Sequence, residues 1–345
     1  MSTHEPPLDV EEDDEPSDPG ESAAEQAESL ARVERGGIPL GAERRLRELG
    51  EHGGAFTSDL SVGDFALCHQ LGLRPVSQVM GSSIYQVGYQ STPWPSAMGA
   101  GFMFEMQALS EAWNEVRELA LGRLAQEAEH VGADAVVGVD LNTGAHDWAE
   151  NAIEYVVIGT AVRRDETGAL GGSTANASTR GDSPANAANS RGGGPSGGGQ
   201  RGRHTPVLTE LSVADYAKLL SAGVEPLGVV AWSSVFFVGA SYSTQMMSGV
   251  GGLGFTQNQE LPEFTQGVYS ARESVVARLT HQAAKLDASG VIGVRIAHGI
   301  QRTTVGAGSY SRGGLMVTFH AIGTAVREDR ATIPYAPETI IDLTT

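Results

Sequence analysis

The segment Asp140-Leu-Asn-Thr-Gly-Ala-His146-Asp147-Trp-Ala-Glu150 gathers three carboxylates and one imidazole in a short stretch. Oxygen and imidazole donors of this kind suit a weakly held divalent ion such as zinc or nickel. A solvated turn is the competing reading, because hairpin loops are polar for reasons of their own. A glycine-spaced apolar run, GADAVVGVD (132–140), leads into the segment and places Asp134 and Asp140 near its ends. A divalent metal is the one cofactor these residues suggest.

Other residue types point to chemistry less directly. Ser82-Ser83 and Ser233-Ser234 interrupt two runs otherwise rich in Val, Ile and aromatics. They either line a pocket or lumen, or bond locally to backbone in a close-packed strand. GVGGLG (249–254) has the spacing of a dinucleotide loop, but no strand ends directly before it and no helix opens on it. It reads as a flexible glycine-rich loop. Cys68 is the one cysteine, so neither an intrachain disulfide nor a thiolate zinc site can form. Trp94 and Phe102, and later Met246 and Met247, stand among Gly and Ser in two loops. Such loops bind a protein partner, or pack into an oligomer interface. No base, nucleophile and oxyanion donor come together, so the chain reads as non-enzymatic.

The elements that must position these residues occur twice. LSVGDFALCHQLGLRPVSQVMGSSIYQVG (60–88) aligns without gaps to LSVADYAKLLSAGVEPLGVVAWSSVFFVG (211–239). Arg117, Glu118, Arg123, Leu124 and Ala128 match Arg272, Glu273, Arg278, Leu279 and Ala283, and IGTAVR stands at both 158–163 and 322–327. Order and spacing are kept, so the chain contains a duplication. In each copy a Ser-x-x-Asp cap opens a short helix that ends at Gly72 or Gly223. A strand follows (76–88, 227–239), then a long amphipathic helix, then two strands (134–142 with 154–163, and 289–298 with 314–327). The fold class is α+β: two β-α-β-β units, each an antiparallel sheet covered by one long helix and preceded by a short one. One unit is thin, and the open face of its sheet needs a cover from the other copy or another chain.

The duplication also weighs the candidate sites. None of the nine histidines stands opposite another, and Asp134 and Asp140 face Ser289 and Arg295 in the second copy. A metal site shared by both copies is therefore not expected. Gly138 and Gly293 are shared, and they mark a bulge or close packing in a buried strand.

Around the units, residues 1–29 read as a disordered acidic tail: the first thirty positions hold eleven Asp/Glu and no Lys or Arg. Residues 30–56 read as a short helical lead-in, 57–164 as unit 1, 165–205 as a flexible Gly/Ser/Asn-rich linker, 206–328 as unit 2, and 329–345 as a C-terminal tail. The net charge of -19 argues against nucleic acid as a partner. No run is long enough for a membrane span, and no apolar core of a signal peptide follows the N-terminus. With one cysteine, a cytoplasmic location is expected.

VGADAVVGVDL (131–141) with YVVIGTAVR (155–163), and LDASGVIGVRI (286–296) with HAIGTAVR (320–327), resemble the YbjQ-like family, labelled "putative heavy-metal-binding domain". Gly132, Gly138, Gly159, Gly293 and Gly323 are the glycines of that motif. The resemblance implies dodecin-like β-α-β-β units that assemble into rings, pentameric in the family. It predicts a homo-oligomeric binding or assembly protein, with metal binding through Asp140, His146, Asp147 and Glu150 as the second reading.

Overall fold

The computed structural model describes residues 22–52, 55–88, 102–145, 152–164, 205–239, 260–305 and 312–328. It is a mixed α+β structure with six helices and two four-stranded sheets among those residues.

Each repeat opens as its cap residues dictate. The Asp64 amide donates to Ser61 Oγ at 3.1 Å and starts α3 (Val62–Gln70); Asp215 and Ser212 do the same at 3.1 Å for α5 (Val213–Ser221). Gly72 and Gly223 then turn the chain at φ +65° and +71°. The first strands, β1 (Leu73–Gln86) and β6 (Val224–Gly239), begin three residues before the expected starts. Pro75 and Pro226 lie inside them, beside register shifts at Pro75/Ser77 and Pro226/Gly228, because a bulge accommodates a residue with no N–H to give.

The long helices are α4 (Gln107–His130) and α6 (Pro262–Lys285). Val116, Ala120, Leu124 and Ala128 are fully buried on α4 and pack with Val79, Val136 and Val157 of the first sheet. On α6, Ala271, Val275, Leu279 and Ala283 pack with Val230, Val317 and Ala325. Burying one such Val or Leu contributes roughly 1.5–3 kcal/mol. The repeats close on β3 (Ala135–Ala145) with β4 (Ala152–Arg164), and on β7 (Gly290–Val305) with β8 (Arg312–Glu328), all antiparallel. Gly138 and Gly293 take φ +65° and +64° where the register shifts, so both copies carry a glycine bulge at the same place.

Two short strands cross between the repeats. β2 (Phe102–Glu105) belongs to the first repeat but pairs with β6 of the second. β5 (Val207–Leu208) opens the second repeat but pairs in parallel with β3 of the first. The sheet orders are therefore β1-β4-β3-β5 and β2-β6-β8-β7, each with one strand from the other repeat.

A helix, α1 (Ala23–Glu34), begins within the segment expected to be an acidic tail, because Ser22 and Glu25 form a reciprocal capping box. It leads to α2 (Leu40–His52), whose Leu46 is fully buried in the first core. Arg123 of α4 donates to the carbonyls of Val33 (2.9 Å) and Gly37 (3.1 Å) and fastens the pair. Among the described residues no helix is long and apolar enough to cross a membrane.

Candidate functional site

The densest polar construction lies where the repeats meet. Beyond β2, helix α4 runs along the edge of β6 and supplies what another strand would. The Met106 amide donates to Val235 O at 2.8 Å, and the Val235 amide donates to Ser110 Oγ at 2.9 Å. One turn on, Asn114 Oδ1 accepts from the Ser233 amide at 2.9 Å and its Nδ2 donates to Ser233 O at 2.8 Å. The match is geometric. Four residues of helix rise about 6.0 Å, and two residues of strand about 6.7 Å, so Ser110 and Asn114 reach successive edge positions of β6.

Behind this edge, Tyr155 OH of β4 lies 2.9 Å from Ser233 Oγ and 3.0 Å from His320 Nδ1, with Ser233 Oγ and His320 Nδ1 2.8 Å apart. Trp113 meets the rings of Tyr155 (5.5 Å) and His320 (4.7 Å) edge-on. The Arg117 guanidinium, buried on α4, bonds Asn114 Oδ1, lies 3.5 Å from Glu118, and sits 5.8 Å from the Trp232 ring centroid. Burial, reinforced by the Arg117 charge, lowers the His320 pKa to about 4, so the imidazole is neutral near pH 7. Burial pushes the Tyr155 hydroxyl up.

A serine beside an imidazole suggests a nucleophile and base, but the surroundings argue for fastening. Ser233 is fully buried, and its own amide, the nearest candidate for an oxyanion donor, is held by Asn114. What the arrangement does is join two repeats through buried, hydrogen-bonded polar groups, which fixes their relative register.

A second junction lies by the glycine bulges. Arg295 Nη1 bonds Asp140 Oδ1 at 3.0 Å, and Arg295 Nη2 donates to Val139 O at 3.0 Å. These are the two residues that face each other in the repeat alignment. Equivalent points touch only near the axis of the rotation that relates the copies, so the pair marks that axis. Beside it, Thr209 Oγ1 and Thr324 Oγ1 are 2.9 Å apart, and Thr324 bonds Glu210, whose carboxyl is pushed up by burial.

Of the residues singled out by sequence, Ser233 stands at the centre of the first junction. Ser234 Oγ bonds Glu105 and Ser274, each at 3.1 Å. Ser83 is buried, and the Ser82 carbonyl accepts from Arg123. Phe102 pairs with Gly239 on β2. Gly132 takes φ +63° after α4; a Cβ at Gly159 would lie 2.7 Å from Val136 Cγ1, and at Gly323 2.7 Å from Val291 Cγ1. Asp140 is engaged by Arg295, while His146, Asp147, Glu150, Trp94, Met246, Met247 and the GVGGLG loop lie outside the described residues. Among the described residues no three His, Cys, Asp or Glu side chains converge as metal ligands. Cys68 is buried, and its thiol is pushed up to about 11. The sequence reading missed Asn114, Arg117, Tyr155 and His320. They stand opposite Tyr269, Arg272, Phe319 and Val156, so three of the four have no like partner in the other copy.

A family model described as "Putative heavy-metal-binding" matches residues 98–165 and again 232–329. An encapsulin nanocompartment protein of Mycobacterium tuberculosis is 30% identical over 290 residues, which cover 84% of this chain and 92% of that protein. UPF0145 proteins of Clostridium novyi and Halalkalibacterium halodurans are 44% and 45% identical over 59 and 58 residues, 17% of this chain and 55% and 53% of theirs. No solved structure matches.

Proposed function

The chain belongs to the YbjQ-like, "putative heavy-metal-binding" family, with two copies of the family unit in tandem, and from this premise we propose that it is a non-enzymatic, self-assembling protein that works as a component of a nanocompartment. The observation that carries this reading is the strand exchange. Each sheet is completed by a strand from the other repeat, so the unit is built to pair with its own kind. A ring of such units, in the cytoplasm, is the form we propose for the assembly, with dodecin-like packing of helix on sheet. The nanocompartment role rests on the relative of that name, which matches along most of both chains.

The test is the mass of the purified full chain by light scattering, followed by electron microscopy of the same fraction. A stable single-chain species at micromolar concentration overturns the reading. Metal analysis of that fraction separates it from a metal-binding role. Stoichiometric zinc or nickel that disappears in His146→Ala would favour the hairpin 140–150 as the functional site.

A further inference from the structure

The junction inside the chain has two sides, and each repeat carries both. The first repeat offers α4 and the outer edge of β3; the second offers α5, the segment around β5, and β6. At the ends of the chain the equivalent side chains stand exposed. Val213, at the start of α5, is fully buried at the junction, whereas its equivalent Val62 is 88% exposed. Val235 of β6 is fully buried, whereas its equivalent Ile84 is 54% exposed. On the other side, Asn114 is 5% exposed against 63% for Tyr269, and Val139 is fully buried against 43% exposed for Val294. Three of the four pairs are apolar in both copies, and apolar residues that lose their cover are what an unfilled interface leaves behind.

The backbone repeats the pattern. β3 is covered by the second repeat's opening segment: Val207 and Thr209 amides donate to Asp134 O (3.1 Å) and Val136 O (2.9 Å), and Gly138 and Val139 amides donate to Leu211 O (2.9 Å) and Thr209 O (3.0 Å). The equivalent strand β7 is the edge of its sheet. The equivalent segment, 56–60, belongs to no strand within the chain, and it bonds β1 through Thr57 O. By the repeat equivalence, Phe56, Ser58 and Leu60 correspond to Val207, Thr209 and Leu211, the residues whose backbone bonds β3. Helices α1 and α2 occupy a different part of α4, at Arg123 and Gln126, and leave Met80 and Ile84 exposed. Charge agrees as well. Asp140 and Arg295 pair across the junction within the chain, and repeating the same operation places Arg295 against the next copy's Asp140, again opposite in sign.

We propose that a second copy of this chain docks head to tail, its segment 56–60, Val62 and β1 seated against β7 and α6 of the first, in the geometry that joins the two repeats within one chain. The proposal rests on the self-assembly reading and specifies its surface and polarity. Contacts of this type are heterologous, so each copy keeps one free head and one free tail until a ring closes.

The test uses the full chain and four variants whose substituted side chains are exposed in the isolated chain, so folding is not at stake. Ile84→Glu and Val62→Asp spoil the head; Val294→Glu and Tyr269→Glu spoil the tail. Each variant alone is expected to fall from the wild-type mass to that of one chain in light scattering. An equimolar mixture of one head variant with one tail variant is expected to give a two-chain species and nothing larger, since one intact head and one intact tail remain. Variants that keep the wild-type mass overturn the proposed surface and leave the self-assembly reading standing. A mixture that stays single-chain overturns the head-to-tail polarity. A wild type that is itself a single chain removes both.

Discussion

At the scale of single residues, the junction depends on groups that leave others stranded when removed. Asn114 satisfies both backbone groups of Ser233 and touches Arg117. Asn114→Ala would leave a buried amide, a buried carbonyl and a buried guanidinium short of partners. The expected loss is about 2–4 kcal/mol, read as a lower midpoint in urea. His320 gives the junction a pH dependence of known sign. Its folded pKa is about 4 against an ordinary 6.5, so the unfolded chain binds the extra proton between those values. Stability should therefore fall as pH drops from 6.5 toward 4, by up to about 3 kcal/mol. Glu127 and Glu210, both raised by burial, slope the other way as pH rises above 4.5. The measurement is thus the difference between wild type and His320→Gln across pH 4–7; parallel curves would refute the assignment.

At the scale of elements, the two copies place the same helix on the same sheet with different fillings. A Cβ at Gly81 would stand 1.9 Å from Ala120 O of α4, whereas the second copy holds Trp232 at that position. Gly81→Ala is expected to cost about 2–3 kcal/mol through overpacking, measured by thermal or chemical unfolding. The turn after the long helix differs in the opposite sense. Gly132 occupies the left-handed region at φ +63°, and Asp287 is forced into it at +57°. Asp287→Gly should stabilise the chain by a few tenths to about 1 kcal/mol, visible as a higher Tm. These elements were legible in the sequence because both copies repeat their caps, periodicity and glycines. The crossing strands were not. β2 has four residues and β5 two, too few for an alternating pattern to stand out. The junction's polar groups were hidden for a related reason: each belongs to one copy alone, Asn114, Tyr155 and His320 standing opposite Tyr269, Phe319 and Val156.

At the scale of the whole molecule, Asp140 gains a structural role. Its spacing suggested a ligand; its place near the axis relating the repeats makes it half of an ion pair with Arg295. Both side chains are about half exposed, so the pair contributes little to stability, roughly 0–1 kcal/mol. Its value lies in discrimination, because two aspartates or two arginines there would repel. Arg295→Asp should weaken assembly, and Asp140→Arg with Arg295→Asp should restore the wild-type mass in light scattering. An unrestored mass would show that the charges do not set the pairing.

Strand exchange also bears on what happens when the chain is cut. The repeats are joined covalently only through residues 165–204, yet β2 and β5 hold each half by the other's sheet. A protease acting within 165–204 would turn one folded chain into two interleaved fragments. They should co-elute under native conditions and separate only in denaturant, at a lower midpoint than the uncut chain, since the effective concentration supplied by the connection is gone. Nicking would thus make the molecule's stability fall with the logarithm of dilution.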